Sequence, residues 1–81
     1  MKADIYVSLK KTVLDPQGET IRAALHSLGF REVEAVRQGK HFQLQLASHL
    51  TREQAREQVE RIAREVLTNP VIEEFSYRLE E

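Results

Sequence analysis

A two-layer α/β sandwich, with four antiparallel strands backed by two helices on one face, is the fold class this sequence predicts. Three observations predict it. Residues 3–10 and 40–47 alternate apolar and polar side chains with the period of two that marks half-buried strands. The stretches after Asp15 and Thr51 repeat apolar side chains at spacings of three and four, as amphipathic helices do. The segments run strand, helix, strand, strand, helix, strand, and two helices cover only one face of a four-stranded sheet. That order is the ferredoxin-like arrangement, with right-handed crossovers expected.

The first strand places Ala3, Ile5, Val7 and Leu9 on one face and Asp4, Tyr6, Ser8 and Lys10 on the other. Asp15 then caps a helix whose first position is Pro16, a residue with no N–H to lose there. Gly18 falls three residues into that helix. Two readings of it stay open: a tolerated imperfection in a frayed first turn, or a place where backbone of a neighbouring strand or subunit comes close. Ile21, Ala24, Leu25 and Leu28 form the apolar stripe, and Gly29 is placed to end the helix in the left-handed conformation with Phe30 folding back on it.

Val33–Arg37 is expected to be a second strand, joined by a Gln38-Gly39 turn to a third strand over Lys40–Ala47. Val33 and Val36 have opposite parity, so a bulge intervenes or one valine faces outward. Thr51 and Gln54 have capping-box spacing at the second helix, whose stripe is Ala55, Val59, Ile62, Ala63, Val66 and Leu67. Glu57–Arg61 and Glu60–Arg64 have the favourable four-residue spacing. Asn69-Pro70 stops the helix, and Val71–Leu79 is the last strand, its apolar face interrupted by Glu73.

These elements make one domain, residues 1–81, without linker, repeat or low-complexity segment. A chain of this size buries only about 60–65% of its unfolded surface. With no cysteine it has neither disulfide nor thiolate metal site to reinforce it, so association is expected from size. Twelve basic and thirteen acidic residues intersperse to a net charge of -1, which disfavours a nucleic-acid partner. No apolar run approaches the roughly 20 residues that cross a bilayer. Asp4 stands where a signal peptide would begin its apolar core, and the expected location is cytoplasmic.

Catalytic chemistry finds no foothold. His26, His41 and His49 fall on three elements without ligand spacing. Ser8, Ser27, Ser48 and Ser76 lack a nucleophile elbow. Glu73 and Glu74, adjacent on a strand, point to opposite faces. RNA-binding domains of this topology stack bases on several open-face aromatics, whereas this open face offers Tyr6 alone. That face, with Tyr6, His41 and Gln43, either meets water or packs on another copy. The residues themselves reach a small module acting through contacts, with a ligand-binding regulatory module of another metabolic enzyme as the alternative.

Several motifs go further. Val13-Leu14-Asp15-Pro16-Gln17-Gly18, Ala24-Leu25-His26-Ser27-Leu28-Gly29, Val36-Arg37-Gln38-Gly39-Lys40 and Leu67-Thr68-Asn69-Pro70-Val71-Ile72-Glu73 occur in that order and spacing. In these, and along nearly its whole length, the chain resembles the small S subunits (PurS) of phosphoribosylformylglycinamidine synthase, the amidotransferase of de novo purine biosynthesis.

The resemblance implies a non-catalytic subunit that binds no cofactor itself. ATP, magnesium and glutamine belong to its partners, a large synthetase subunit and a glutaminase subunit. It also implies a homodimer, or a dimer of dimers, that bridges them and supports ammonia transfer, with no nucleic-acid or membrane partner. Asp15, Pro16, Gln17, Gly18, Arg37, Gly39 and Lys40 become the expected partner interface. Tyr6, His41 and Gln43 become the expected self-association face.

Overall fold

The computed structural model describes residues 1–81. Its elements are β1 (Lys2–Leu9), α1 (Pro16–Ser27), β2 (Gly39–Gln45), α2 (Arg52–Ile62) and β3 (Glu73–Glu80). A π-helical turn, Ala63–Leu67, continues α2. The α+β class stands, but the sheet has three strands in the order β2-β1-β3, not four. Both neighbours run antiparallel to β1, and Ile5 lies opposite Phe42 on one side and Tyr77 on the other.

That register aligns the apolar parity of all three strands. Ala3, Ile5 and Val7 bury against Val59 of α2 and Ala63 of the π turn, with Phe42, Leu44, Leu46, Leu67, Phe75, Tyr77 and Leu79 packed around them. The capping box at Thr51 is formed in full, fixing where α2 begins. On α2 the charged pairs differ from those expected. Arg61 binds Glu65 at 3.1 Å, while Glu60 accepts from the Tyr77 hydroxyl at 2.6 Å and so tethers α2 to β3.

The expected strand over Val33–Arg37 is absent, and Gln38-Gly39 is not a hairpin turn. Residues 33–38 are tied to α1 instead. His26 Nε2 donates to the Val33 carbonyl at 2.7 Å, and the Gln38 N–H donates to Asp15 Oδ2 at 2.8 Å. With Val33 and Val36 three apart, no flat strand buries both on one face, and each is half-buried here. Gly39 is instead the first residue of β2, where a Cβ would lie 2.6 Å from the Val7 carbonyl oxygen.

The expected cover of both helices on one face is corrected too. Only α2 packs on the sheet, because the tether to residues 33–38 makes α1 one side of an arm rather than a lid. No α1 residue joins the core, and Gly18 is its one buried residue. Ile21, Leu28 and Phe30 stay exposed, the last two at 74% and 58%. The molecule is accordingly long and thin, 51 × 26 × 14 Å, with a radius of gyration of 16.2 Å. A compact chain of this length would measure about 12 Å.

Candidate functional site

Three of the sequence motifs meet at one corner, where β1 ends and α1 begins. Asp15 organises it. Its Oδ1 accepts from the Gly18 N–H at 2.9 Å, the helix cap foreseen from sequence, and its Oδ2 accepts from Gln38. The N–H groups of Gln38 and Gly18 hold this buried carboxyl below the ordinary carboxylate pKa. Gly18 lies against the return chain so closely that a Cβ there would collide with the Val36 carbonyl oxygen. Of the two readings of this glycine, close backbone approach is the one realised, and the neighbour belongs to the same chain.

Arg37 completes the corner. One guanidinium nitrogen donates to the carbonyls of Lys10 at 2.8 Å and Val13 at 2.9 Å, clamping the loop between β1 and α1. The Lys10 N–H donates to the Ile72 carbonyl at 2.8 Å, which joins this loop to the one preceding β3. In that second loop Asn69 is the pivot. Its side chain accepts from the Val71 N–H, and its carbonyl accepts from the N–H groups of Ile72 and Glu73. Glu73 returns the contact by accepting from the Asn69 N–H at 2.8 Å, and its other oxygen lies 3.7 Å from Lys40 Nζ.

A cavity of about 210 Å³ opens between these pieces, lined among others by Asp15, Gln17, Gln38, Gly39, Lys40 and Glu73. Asp15, Gly18, Arg37 and Gly39 spend their polar atoms or their missing side chain inside the chain, whereas Pro16, Gln17 and Lys40 present exposed surface. Sequence reasoning treated Glu73 as an interruption and passed over Gln38. The motif Asn69-Pro70-Val71-Ile72-Glu73 was the available signal, but the tie between loops depends on a register that only the folded sheet reveals.

Tyr6, His41 and Gln43 lie together elsewhere, on the sheet face away from α2. The Tyr6 and His41 rings stack with centroids 4.6 Å apart and 13° between planes. His41 Nε2 donates to Asp4 Oδ1 at 2.9 Å, and the Gln43 amide reaches the same oxygen at 3.3 Å. The His41 hydrogen bond, more than any other contact, keeps the Asp4 carboxyl below its usual pKa despite burial. Asp4 was read as an ordinary outward residue. It is buried instead, bonded by His41 and Gln43 of β2 and lying opposite Arg78 of β3.

The three histidines stay apart, and no group of three or more histidine or acidic side chains is arranged to hold a metal. No helix is long and apolar enough to cross a membrane.

Comparison with known proteins gives this geometry its context. Residues 2–81 match the family model described as PurS, phosphoribosylformylglycinamidine (FGAM) synthase. The PurS subunit of that synthase from Bacillus subtilis is 40% identical over 99% of this chain and 93% of its own. The PurS subunit from Archaeoglobus fulgidus is 38% identical over 94% of each. The fold superposes on the crystal structure of Methanocaldococcus jannaschii PurS, a subunit of the formylglycinamide ribonucleotide amidotransferase of the purine biosynthetic pathway. There the TM-score is 0.87 at 36% identity, covering 99% of this chain and 95% of that one. It also superposes on a chain of the PurLQS structure from Thermotoga maritima with a TM-score of 0.76 and 33% identity, covering 95% and 93%. On this agreement in sequence, length and fold, the chain belongs to the PurS family, subunits of phosphoribosylformylglycinamidine synthase in purine biosynthesis.

Proposed function

We propose that this chain is the non-catalytic small subunit that holds the ATP-dependent synthetase and the glutaminase of its synthase in register. The observation that carries the reading is the spending of Asp15, Gly18, Arg37 and Gly39 on a rigid corner. Family membership favours this over a regulatory module of some other enzyme. ATP, magnesium and glutamine are used by the partners, and this chain binds none of them.

Such a part has a physical purpose. Ammonia released into water protonates, and ammonium is no nucleophile, so transfer between two active sites needs enclosed and closely aligned subunits. In chemistry that depends on positioning, a displacement of about 1 Å costs about 100-fold in rate. A small domain with fixed loops suits that alignment.

The chain acts as a homodimer. The support is the uncovered stripe of Ile21, Leu28 and Phe30 on an arm that contributes nothing to its own core. Full burial of side chains of this size is worth about 1.5–3 kcal/mol each, enough together to drive pairing. Tyr6, His41 and Gln43 offer a separate amphipathic face through which two dimers pair. The corner of Pro16, Gln17 and Lys40 is left to the larger subunits.

Reconstitution tests the function. Synthetase and glutaminase subunits mixed with this chain should turn over glutamine-dependent synthesis efficiently, and without it should lose most of that coupling. Equal turnover without the chain would overturn the reading.

A further inference from the structure

The sheet face away from α2 holds a buried carboxylate whose cover is a histidine. Asp4 is 5% exposed, although the core helix packs on the opposite side of β1. Side chains of the sheet itself bury it. His41 Nε2 donates to Oδ1 at 2.9 Å, the Gln43 amide reaches the same oxygen at 3.3 Å, and the Tyr6 ring stacks on the imidazole. The imidazole side chain remains 45% exposed, so a second dimer pairing on this face closes over it. Its Nε2–H bond to Asp4 is available in both charge states of the ring.

The surrounding charges leave the balance of Asp4 to His41. On this face β1 presents Lys2 and, just past the strand, Lys10, while β3 presents Glu74, Arg78 and Glu80. Beside His41, β2 adds only the neutral Gln43 and Gln45. Arg78 lies opposite Asp4, but its guanidinium is 3.1 Å from Glu80. Glu74 stands further along, opposite Ser8. Apart from His41 the face thus sets Lys2, Lys10 and Arg78 against Asp4, Glu74 and Glu80, and an opposing copy brings no net field to decide the sign. Asp4 itself stays ionised near neutral pH, because the His41 hydrogen bond holds its carboxyl below the ordinary 3.8. Excluding water from that carboxylate costs more beside a neutral imidazole than beside an imidazolium, since the second pair has no net charge. We infer that closing the open faces of two dimers takes up a proton at His41, so that pairing tightens as pH falls through the range where histidine changes charge. The inference rests on the pairing face given above and adds its regulation.

The test is the dissociation constant for pairing of dimers of the full chain, measured by sedimentation. In wild type it should fall about 10-fold or more between about pH 8 and about pH 6. His41→Gln keeps a neutral N–H donor and should pair equally well at both ends of that range. Asp4→Asn removes the charge to be balanced and should no longer pair more tightly as pH falls. Both variants should keep the wild-type circular dichroism. A second readout needs wild type alone: the association heat near neutral pH should vary with the ionisation enthalpy of the buffer, as proton uptake requires. Wild-type pairing that is flat in pH, tightens as pH rises or takes up no proton overturns the inference while leaving the pairing face intact. A pH dependence retained by His41→Gln also overturns it, by giving the proton to another group. A wild-type chain that stays a dimer at every pH and concentration defeats the pairing face, and the inference with it.

Discussion

The sheet with α2 buries Ile5, Val7 and Val59 to within 1% of complete, whereas the arm formed by α1 and residues 30–38 buries only Gly18. Both regions are specified by good local signals. The caps at Asp15 and Thr51 are made, Gly29 takes its left-handed conformation at φ 101°, and both helices carry an apolar stripe. The difference is where the stripe goes. In the body, β1 places Ala3, Ile5 and Val7 beneath α2, so the core closes within one chain. In the arm, the return segment ties itself to the helix by polar bonds and leaves Ile21, Leu28 and Phe30 uncovered. Helix amphipathicity therefore states that a face will be buried without naming the chain that buries it.

This contrast can be broken first at the stripe. Ile21→Asp with Leu28→Asp should raise the self-dissociation constant by about 100-fold or more, since charges replace two apolar contacts. The strand signal in circular dichroism should persist, because the body keeps its own core. Tyr6→Ala with Gln43→Ala should weaken only the pairing of dimers, leaving a stable dimer in sedimentation. A fall in dimer affinity as large as that of the stripe variant would move the primary contact to the open sheet face.

Gly18→Ala sharpens the comparison from the other side. The added methyl meets the Val36 carbonyl, a backbone atom that cannot turn away, and overpacking of this kind costs about 1–3 kcal/mol. Val59→Ala should cost about 2 kcal/mol by leaving a cavity in the body. Hydrogen exchange separates the two. Gly18→Ala should speed exchange across α1 and leave β1 protected, while Val59→Ala should speed exchange throughout. Uniform loss in both variants would mean that arm and body unfold as one unit.

The smallest effect is a response to acid. Asp15 has a folded pKa below its ordinary value of 3.8, held there by the Gln38 and Gly18 N–H groups. Its stabilising contribution is therefore complete above the unfolded value and is lost as pH falls through the lower, folded one. The amide resonances of Gly18 and Gln38 should titrate together with a midpoint under 3.8, and Asp15→Asn should abolish the step. A midpoint above that value would contradict the two-donor arrangement.

Much of this architecture is legible in the sequence. Alternation located β1, β2 and most of β3, and the Thr51–Gln54 spacing fixed the start of α2. The weak point of the expected second strand was Val33 and Val36, whose opposite parity needs a bulge or an outward valine to make a strand at all. What remained hidden depends on contacts distant in sequence. His26 reaching Val33, Arg37 reaching Lys10 and Asp4 sinking beneath His41 and Gln43 each require a register or a fold-back that no local pattern encodes. Of the residues the motifs put at a partner interface, Asp15, Gly18, Arg37 and Gly39 are used within the chain to hold the corner together.

The claim on which the account turns is that the arm is completed by a second copy. Sedimentation equilibrium of the isolated chain at micromolar concentration tests it most directly. The predicted mass is twice the 9.4 kDa of one chain or a multiple of it. A folded species at 9.4 kDa, with α1 protected from exchange, would contradict it.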